Sequence, residues 1–258
     1  MTMALSMPLP LNGPAQAHCD VWLVALDRAV PQALRAQLST SERERSQRFV
    51  FARDRHRFVA AHAALRQLLA QRTGLPGALV ELTENVFGKP LLAGAGPGGP
   101  NAPHFNLSHS QDLGAVALSD THEIGIDVEV LRPLSDRAAM ARTYFTPAEQ
   151  RALERVESRG ALAAEKAFFT CWTRKEACLK ALGLGLQLAT DSFEVGVEAN
   201  MAEALDIDIQ TLEGIERVRL ESFPCGPDAV GALALRLARD PSPSVSACGA
   251  AHASKTSA

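Results

Sequence analysis

The chain has 258 residues, 47% of them hydrophobic and 21% charged, a composition that excludes disordered, collagen-like and coiled-coil architectures for its bulk and leaves one large domain or two small ones. With 29 acidic against 26 basic side chains the formal charge is −3, so no global field draws the protein to nucleic acid or anionic lipid. No stretch approaches the ~20 apolar residues of a membrane span, the first basic residue is Arg28, and the five cysteines show no C-x-x-C spacing, which together predict a cytoplasmic protein without signal peptide, disulfide framework or thiolate zinc site.

In chain order, residues 1–17 hold three prolines and little periodicity and read as a mobile tail. The run Val21–Leu26, bounded by Asp20 and Asp27, has the length of a buried strand. Over 41–72 the apolar positions Phe49, Ala52, Phe58, Ala61, Leu65, Leu68 and Leu69 recur at helical spacings until Gly74 and Pro76 stop the run. Strands are expected at 78–83, 104–107, 114–119 and 124–130, with a Gly/Pro-rich loop at 93–103 and a polar turn at 119–121. That turn divides an N-terminal lobe, 18–119, from a C-terminal lobe, 120–240. Thr146-Pro147-Ala148-Glu149 carries an N-cap type, Pro at the first helical position and Glu at the third, a specified helix start. A second long helix covers 161–182 and ends at Gly183. Strands follow at 193–197, 204–212, 215–222 and 230–237, and 241–258 reads as a second tail. Ala63–Leu68 is echoed 114 residues later by Ala177–Leu182, as two duplicated lobes with one long helix each would produce.

Four segments combine residue types that carry chemistry. Arg43, Arg45, Arg48, Arg53, Arg55 and Arg57, offset by Glu42, Glu44 and Asp54, form the surface a phosphate monoester would prefer, because guanidinium binds phosphate oxygens in pairs; Gly88-Lys89-Pro90 adds one ammonium on a turn. In Phe105-Asn106-Leu107-Ser108-His109-Ser110 a hydroxyl and an imidazole end a strand, suited to phosphate contact or to capping a turn. A nucleophilic serine is disfavoured, since adjacent residues on a strand face opposite ways and no G-x-S-x-G elbow occurs. In Gly125-Ile126-Asp127-Val128-Glu129 two carboxylates share one face, either as a solvated outer face or as oxygen ligands for Mg²⁺. On the helix through Trp172-Thr173-Arg174-Lys175-Glu176, Trp172, Glu176 and Lys180 form one stripe beside Lys175 and Leu179. Gly94, Gly96 and Gly99 match G-x-G-x-x-G literally, but Pro97, Pro100 and Pro103 forbid the helix that a dinucleotide site must open.

The order of these four segments over about 45–190, from Gly88-Lys89-Pro90 through Phe105–Ser110 and Gly125–Glu129 to Trp172–Ala177 with Lys180, resembles the 4′-phosphopantetheinyl transferases of the Sfp type. The resemblance implies an α+β pseudo-dimer of two similar lobes, each a small, mainly antiparallel sheet packed on a long helix, with coenzyme A in the cleft between them. It implies Asp127, Glu129 and Glu176 as ligands of Mg²⁺, with Mn²⁺ as the alternative, Ser108 and His109 on the coenzyme A phosphates, and Lys89 and Arg57 at the adenosine end, with Arg45 carried over more weakly. Lys175 and Lys180 would meet the pyrophosphate, and Glu176 would accept the proton of a serine on an apo acyl or peptidyl carrier protein as 3′,5′-ADP departs. No nucleic acid or membrane partner is expected, and two lobes in one chain predict a monomer. A catalytically inactive binder of coenzyme A or of a carrier, and a Mg²⁺-dependent phosphohydrolase, are the competing readings.

Overall fold

In the computed structural model, which describes residues 19–93, 102–198 and 204–238, the chain opens with β1 (Asp20–Ala25) and a short turn of helix, α1 (Gln32–Arg35). The two expected tails and most of the Gly/Pro-rich loop lie outside the described residues. Two helices follow, α2 (Thr40–Gln47) and α3 (Ala52–Thr73), where the apolar spacing had predicted unbroken helical pattern. The break is required by what the helices hold. An α-helix rises 1.5 Å per residue, so a continuous rod would separate residues 42 and 62 by ~30 Å, yet Glu42 bonds His62 at 2.9 Å and Arg66 at 2.5 Å. The chain folds back at 48–51, and Phe49 turns in against Phe58 with ring centroids 5.3 Å apart.

A hairpin of β2 (Leu82–Glu84) and β3 (Pro90–Leu92) leads to β4 (His104–Ser110), β5 (Leu113–Ser119) and β6 (Ile124–Val130). The strand expected over 78–83 forms only at its end. Gly77–Leu79 is a 3-10 turn after Pro76, and the buried guanidinium of Arg66 takes the carbonyls of Gly77 and Val80, oxygens that a strand would need. Three helices come next, α4 (Arg137–Tyr144), α5 (Pro147–Glu157) and α6 (Ala161–Leu182), and then β7 (Leu205–Thr211), β8 (Gly214–Pro224) and β9 (Ala229–Arg236). The Thr146 hydroxyl accepts the Glu149 N–H while Glu149 accepts the Thr146 N–H, the reciprocal cap read from the sequence. Residues 193–197 form no strand although Phe193, Val195 and Val197 are buried in alternation. Their backbone is consumed by side chains: Glu149 takes the Val195 N–H, Arg174 the Val195 carbonyl and Lys175 the Phe193 carbonyl.

Beside the small hairpin the strands make two antiparallel sheets, ordered β1-β5-β4 and β6-β9-β8-β7. One face of the first sheet packs through Phe105, Val116 and Leu118 on Leu65, Leu68 and Leu69 of α3. Its other face, Val21, Ala115 and Ala117, meets Ile124, Ile126, Val128, Leu233 and Leu235 of the second sheet. The far face of that sheet carries Val218, Leu220, Ala232 and Ala234 against Phe168, Cys178, Leu179 and Leu182 of α6. The architecture is thus α+β in four layers, helix, sheet, sheet, helix, with α3 and α6 each 22 residues long. Where both faces are covered, at β5 and β9, the strands read as continuous apolar runs, whereas β7 alternates buried and exposed residues because one face of β7 and β8 carries Asp206, Asp208 and Arg217 to solvent.

Glu42 is the acid on which the first lobe rests. Burial alone would push its carboxyl up, but His62, the Ser39 N–H and Arg66 together hold it down at about 2, from an ordinary value of 4.5. A depressed carboxyl contributes stability above its unfolded value that is lost as pH falls through its folded one. Chemical denaturation of the wild type should therefore show stability falling as pH drops from about 4.5 towards 2, and Glu42→Gln, lower in stability at pH 7, should flatten that slope.

Candidate active site

The site is set by the place where β6 runs between β4 and α6. Gly125 lies against the helix backbone so closely that a Cβ there would sit 2.1 Å from the Ala177 carbonyl oxygen and 2.3 Å from the Ala181 nitrogen. Strand alternation then carries Asp127 and Glu129 to the same side as Gly125. Along α6, positions 171–180 are buried except Trp172, Glu176 and Lys180, the four-residue stripe read from the sequence. Trp172 meets Tyr144 edge-on at 5.5 Å, and Lys180 reaches across to β6.

Lys180 Nζ donates to Asp127 Oδ1 at 2.6 Å, to the Ile126 carbonyl at 3.2 Å and to Ser108 Oγ at 3.2 Å. Ser108 Oγ donates to the same Asp127 oxygen at 2.7 Å. Asp127 Oδ2 is buried and has no hydrogen-bond partner among the described residues. Burial pushes the Asp127 carboxyl up by more than Lys180 and Ser108 hold it down, and Glu129 adds to the rise. Glu176 makes no hydrogen bond to a described residue; burial raises its carboxyl, Lys180 opposes, and the charges of Asp127 and Glu129 add to the rise. Glu129 accepts from Ser110 at 2.5 Å and from Arg132 at 2.6 Å. The three expected carboxylates therefore lie within each other's field, yet among the described residues no group of three or more His, Cys, Asp or Glu side chains is closed into a metal cluster. Cations of the chain itself stand on two of the three. Hard oxygen donors and one buried oxygen without a partner still suit a hard divalent cation, and Mg²⁺ commonly takes one or two carboxylates and completes its shell with water and phosphate.

Beside this cluster opens a cavity of about 320 Å³, lined by Lys89, Pro90, Leu107, Glu176, Leu179 and Lys180 among others, within the range of small-molecule sites. Lys89 Nζ pairs with Glu123 at 2.6 Å; burial pulls its ammonium down, which Glu123 opposes. Asn85 donates to the carbonyl of Gly183 at 2.9 Å, fixing the hairpin to the end of α6. His109 is exposed on the opposite face of β4 from Ser108. Although the residue as a whole is exposed, its ring is partly shielded from water; that desolvation, with the charges of Lys180, His62 and Arg57, lowers its pKa, and Glu129 opposes. Arg57 is held by Asp112 at 2.9 Å and Asp54 at 3.4 Å, and Arg45 lies over the Phe58 ring at 5.5 Å. A larger recess of about 650 Å³ in the second lobe, lined by Arg155, Glu194 and Asp206 among others, holds none of the expected site residues.

Two sequence expectations need correction. Lys175 is 1% exposed, paired with Glu149 at 2.8 Å and donating to the carbonyls of Thr190 and Phe193. One helical position from Glu176 is a rotation of ~100°, here the difference between cleft and core, so Lys175 cannot meet a ligand in the cleft. The Ser108 hydroxyl is also buried and committed to Asp127 and the Val128 N–H, so it faces the seam and not a phosphate. Sequence reasoning gave no role to Asn106, Ser110, Arg132 or Glu123 at this site. The available signal was the alternation of Asn106, Ser108 and Ser110 along β4, polar residues at every second position of a strand whose neighbours are core.

Two family models match the chain in succession, one described as 4′-phosphopantetheinyl transferase, N-terminal, over residues 28–121, the other as the 4′-phosphopantetheinyl transferase superfamily over 123–233. Among curated relatives, the chain is similar to 4′-phosphopantetheinyl transferase HetI of Nostoc sp., with 38% identity over 168 residues, 64% of this chain and 69% of that protein. It shares 31% identity over 163 residues with 4′-phosphopantetheinyl transferase Sfp of Bacillus subtilis, 61% of this chain and 66% of that one. With 4′-phosphopantetheinyl transferase AcpT of Salmonella typhimurium the identity is 40% over 118 residues, 45% of this chain and 57% of that protein.

Two substitutions test the geometry. Gly125→Ala should lower stability in urea denaturation by about 1–3 kcal/mol, the usual loss from overpacking, because the helix backbone must retreat; an unchanged midpoint would show that α6 does not press on β6. Lys175→Met leaves the Glu149 carboxylate buried without its partner and should destabilise by about 3–5 kcal/mol. A phosphate-binding Lys175 would instead lose ligand affinity with stability intact.

Proposed function

The chain belongs to the 4′-phosphopantetheinyl transferase superfamily, and we propose on that premise that it moves the 4′-phosphopantetheine group of coenzyme A onto a serine of an apo acyl or peptidyl carrier protein, with Mg²⁺, releasing 3′,5′-ADP. The observation that carries this reading is the unpartnered buried Oδ2 of Asp127, whose other oxygen is held by Lys180, a residue that with Glu176 lines the 320 Å³ cavity. Asp127 and Glu176, with Glu129 next to them, would hold the cation. When bound, Mg²⁺ supplies Lewis-acid neutralisation of the diphosphate and a template for its orientation.

The remaining work falls to the chain's own groups. Arg57 and Arg45 offer positive charge for the terminal phosphate of coenzyme A, His109 a ring donor, and Lys89 brings a further ammonium to the cavity wall. Lys180, fixed by Asp127 and the Ile126 carbonyl, stands ready to offset negative charge as the phosphorus–oxygen bond to 3′,5′-ADP breaks. The serine oxygen forms the new bond to that phosphorus and gives up its proton, and Glu176 is the acceptor: it is half-buried, makes no hydrogen bond to a described residue, and its basicity is raised by its surroundings. Among the described residues no helix is long and apolar enough to cross a membrane, which is compatible with a carrier protein that meets the enzyme in solution.

Incubation with coenzyme A, Mg²⁺ and an apo carrier should yield a carrier heavier by one phosphopantetheine on intact-mass analysis. Free hydrolysis products would favour a phosphohydrolase, and unchanged reactants a binding module. Glu176→Gln should lower kcat by about 10²–10⁴-fold at saturating Mg²⁺, the usual contribution of a positioned base, and a variant with full kcat under those conditions would remove the base role from Glu176.

A further inference from the structure

β4 and β6 lie side by side at the seam but are not partners in a sheet: β4 is the edge of the first sheet and β6 the edge of the second. Three of the backbone N–H groups of β6 that face β4 are nevertheless satisfied. Asn106 Oδ1 accepts from Ile126 N at 2.8 Å, Ser108 Oγ from Val128 N at 3.4 Å and Ser110 Oγ from Val130 N at 3.2 Å. The register is constant, each side chain meeting the residue twenty positions further along. Side chains stand where a backbone ladder would otherwise be, which resolves the unpaired edge that a free strand presents.

The two serines do more than bridge. A hydroxyl has one hydrogen to donate, and an N–H on its lone pair restricts where that hydrogen can point. Ser108 donates to Asp127 Oδ1 and Ser110 to Glu129 Oε2. Each carboxylate then meets a cation that also grips a carbonyl of β6. Lys180 holds Asp127 with the Ile126 carbonyl, and Arg132 holds Glu129 with the Val130 carbonyl while lying over the Phe169 ring at 4.9 Å. A unit of serine, carboxylate, cation and β6 carbonyl thus occurs twice, its serines and its carboxylates two residues apart.

We propose that Asn106, Ser108 and Ser110 form a side-chain ladder that docks the two lobes, and that Ser110 is through it a positioning residue that fixes Glu129 beside the cation site. The positioning role rests on the transferase reading above; the ladder does not. Two measurements on the full chain separate them. Amide hydrogen exchange should show the Val130 N–H exchanging about tenfold faster in Ser110→Ala, the equivalent of one hydrogen bond, with the Ile126 N–H, held by Asn106, unchanged. Mn²⁺ titrated into protein with coenzyme A, followed by electron paramagnetic resonance, should bind about tenfold more weakly, as when a hydrogen-bond partner of a metal ligand is removed. Ser110→Thr, which keeps the hydroxyl, should behave as wild type in both. Should the alanine variant not fold, Ser110→Cys, close in shape but a weak donor, takes its place with the same expectations.

Unchanged exchange at Val130 would overturn the ladder. Faster exchange with unaltered Mn²⁺ affinity, or a threonine variant as impaired as the alanine one, would overturn the positioning role. A wild-type protein that binds no Mn²⁺ with coenzyme A would overturn the transferase reading and the positioning role with it, while the exchange result would still decide the ladder.

Discussion

Three carboxylates confined between one helix and the seam of two sheets are the constraint around which this molecule is organised. Like charges brought out of water repel one another and lose hydration, and the chain answers by lending them its own donors: Lys180 and Ser108 to Asp127, Arg132 and Ser110 to Glu129. Glu176 receives no such donor among the described residues. The residual imbalance, one orphaned oxygen and two carboxyls pushed upward, is what makes the seam a place for a cation and a diphosphate rather than a settled piece of core.

The four-layer architecture explains why the seam lies where it does. Where the two sheets pack on each other their faces are filled with apolar side chains, so polar groups meet at the strand edges there, and the edges that face each other are β4 and β6. Gly125 sets the second coordinate, because only a residue without a side chain lets the α6 backbone come so near, and that approach carries Glu176 and Lys180 within reach of Asp127. Buried ion pairs brace the surroundings. Glu149 and Lys175 tie α5, α6 and the irregular segment 190–195 together, while Glu42 and Arg66 fold α2 back on α3. Pairs of this kind contribute little net stability compared with apolar packing but penalise any arrangement that separates them.

Much of this was legible from the residues alone. The bounds of α6, the cap at Thr146, the strand Ile124–Val130 and the stripe Trp172, Glu176, Lys180 were fixed by periodicity, capping chemistry and helical geometry, all of which act over a few residues. Where local pattern misled, a distant side chain had taken the backbone groups on which the pattern depended: Glu149 and Arg174 at Val195, Arg66 at Gly77 and Val80, and the Glu42 network at the break before α3. The order of the motifs was enough for the family, since it is a property of the chain and needs no coordinates.

Sequence alone therefore determined the α+β elements, the acidic pair on β6 and the cleft-facing stripe of α6, because each is a consequence of which way neighbouring side chains point. Tertiary structure decided which of those groups are free to act. That Lys175 is locked in the core while Lys180 reaches Asp127, that Ser108 serves the seam and not a phosphate, and that Arg132 occupies Glu129 all depend on contacts between residues far apart in the chain, and no local spacing encodes the partner that a charge will meet.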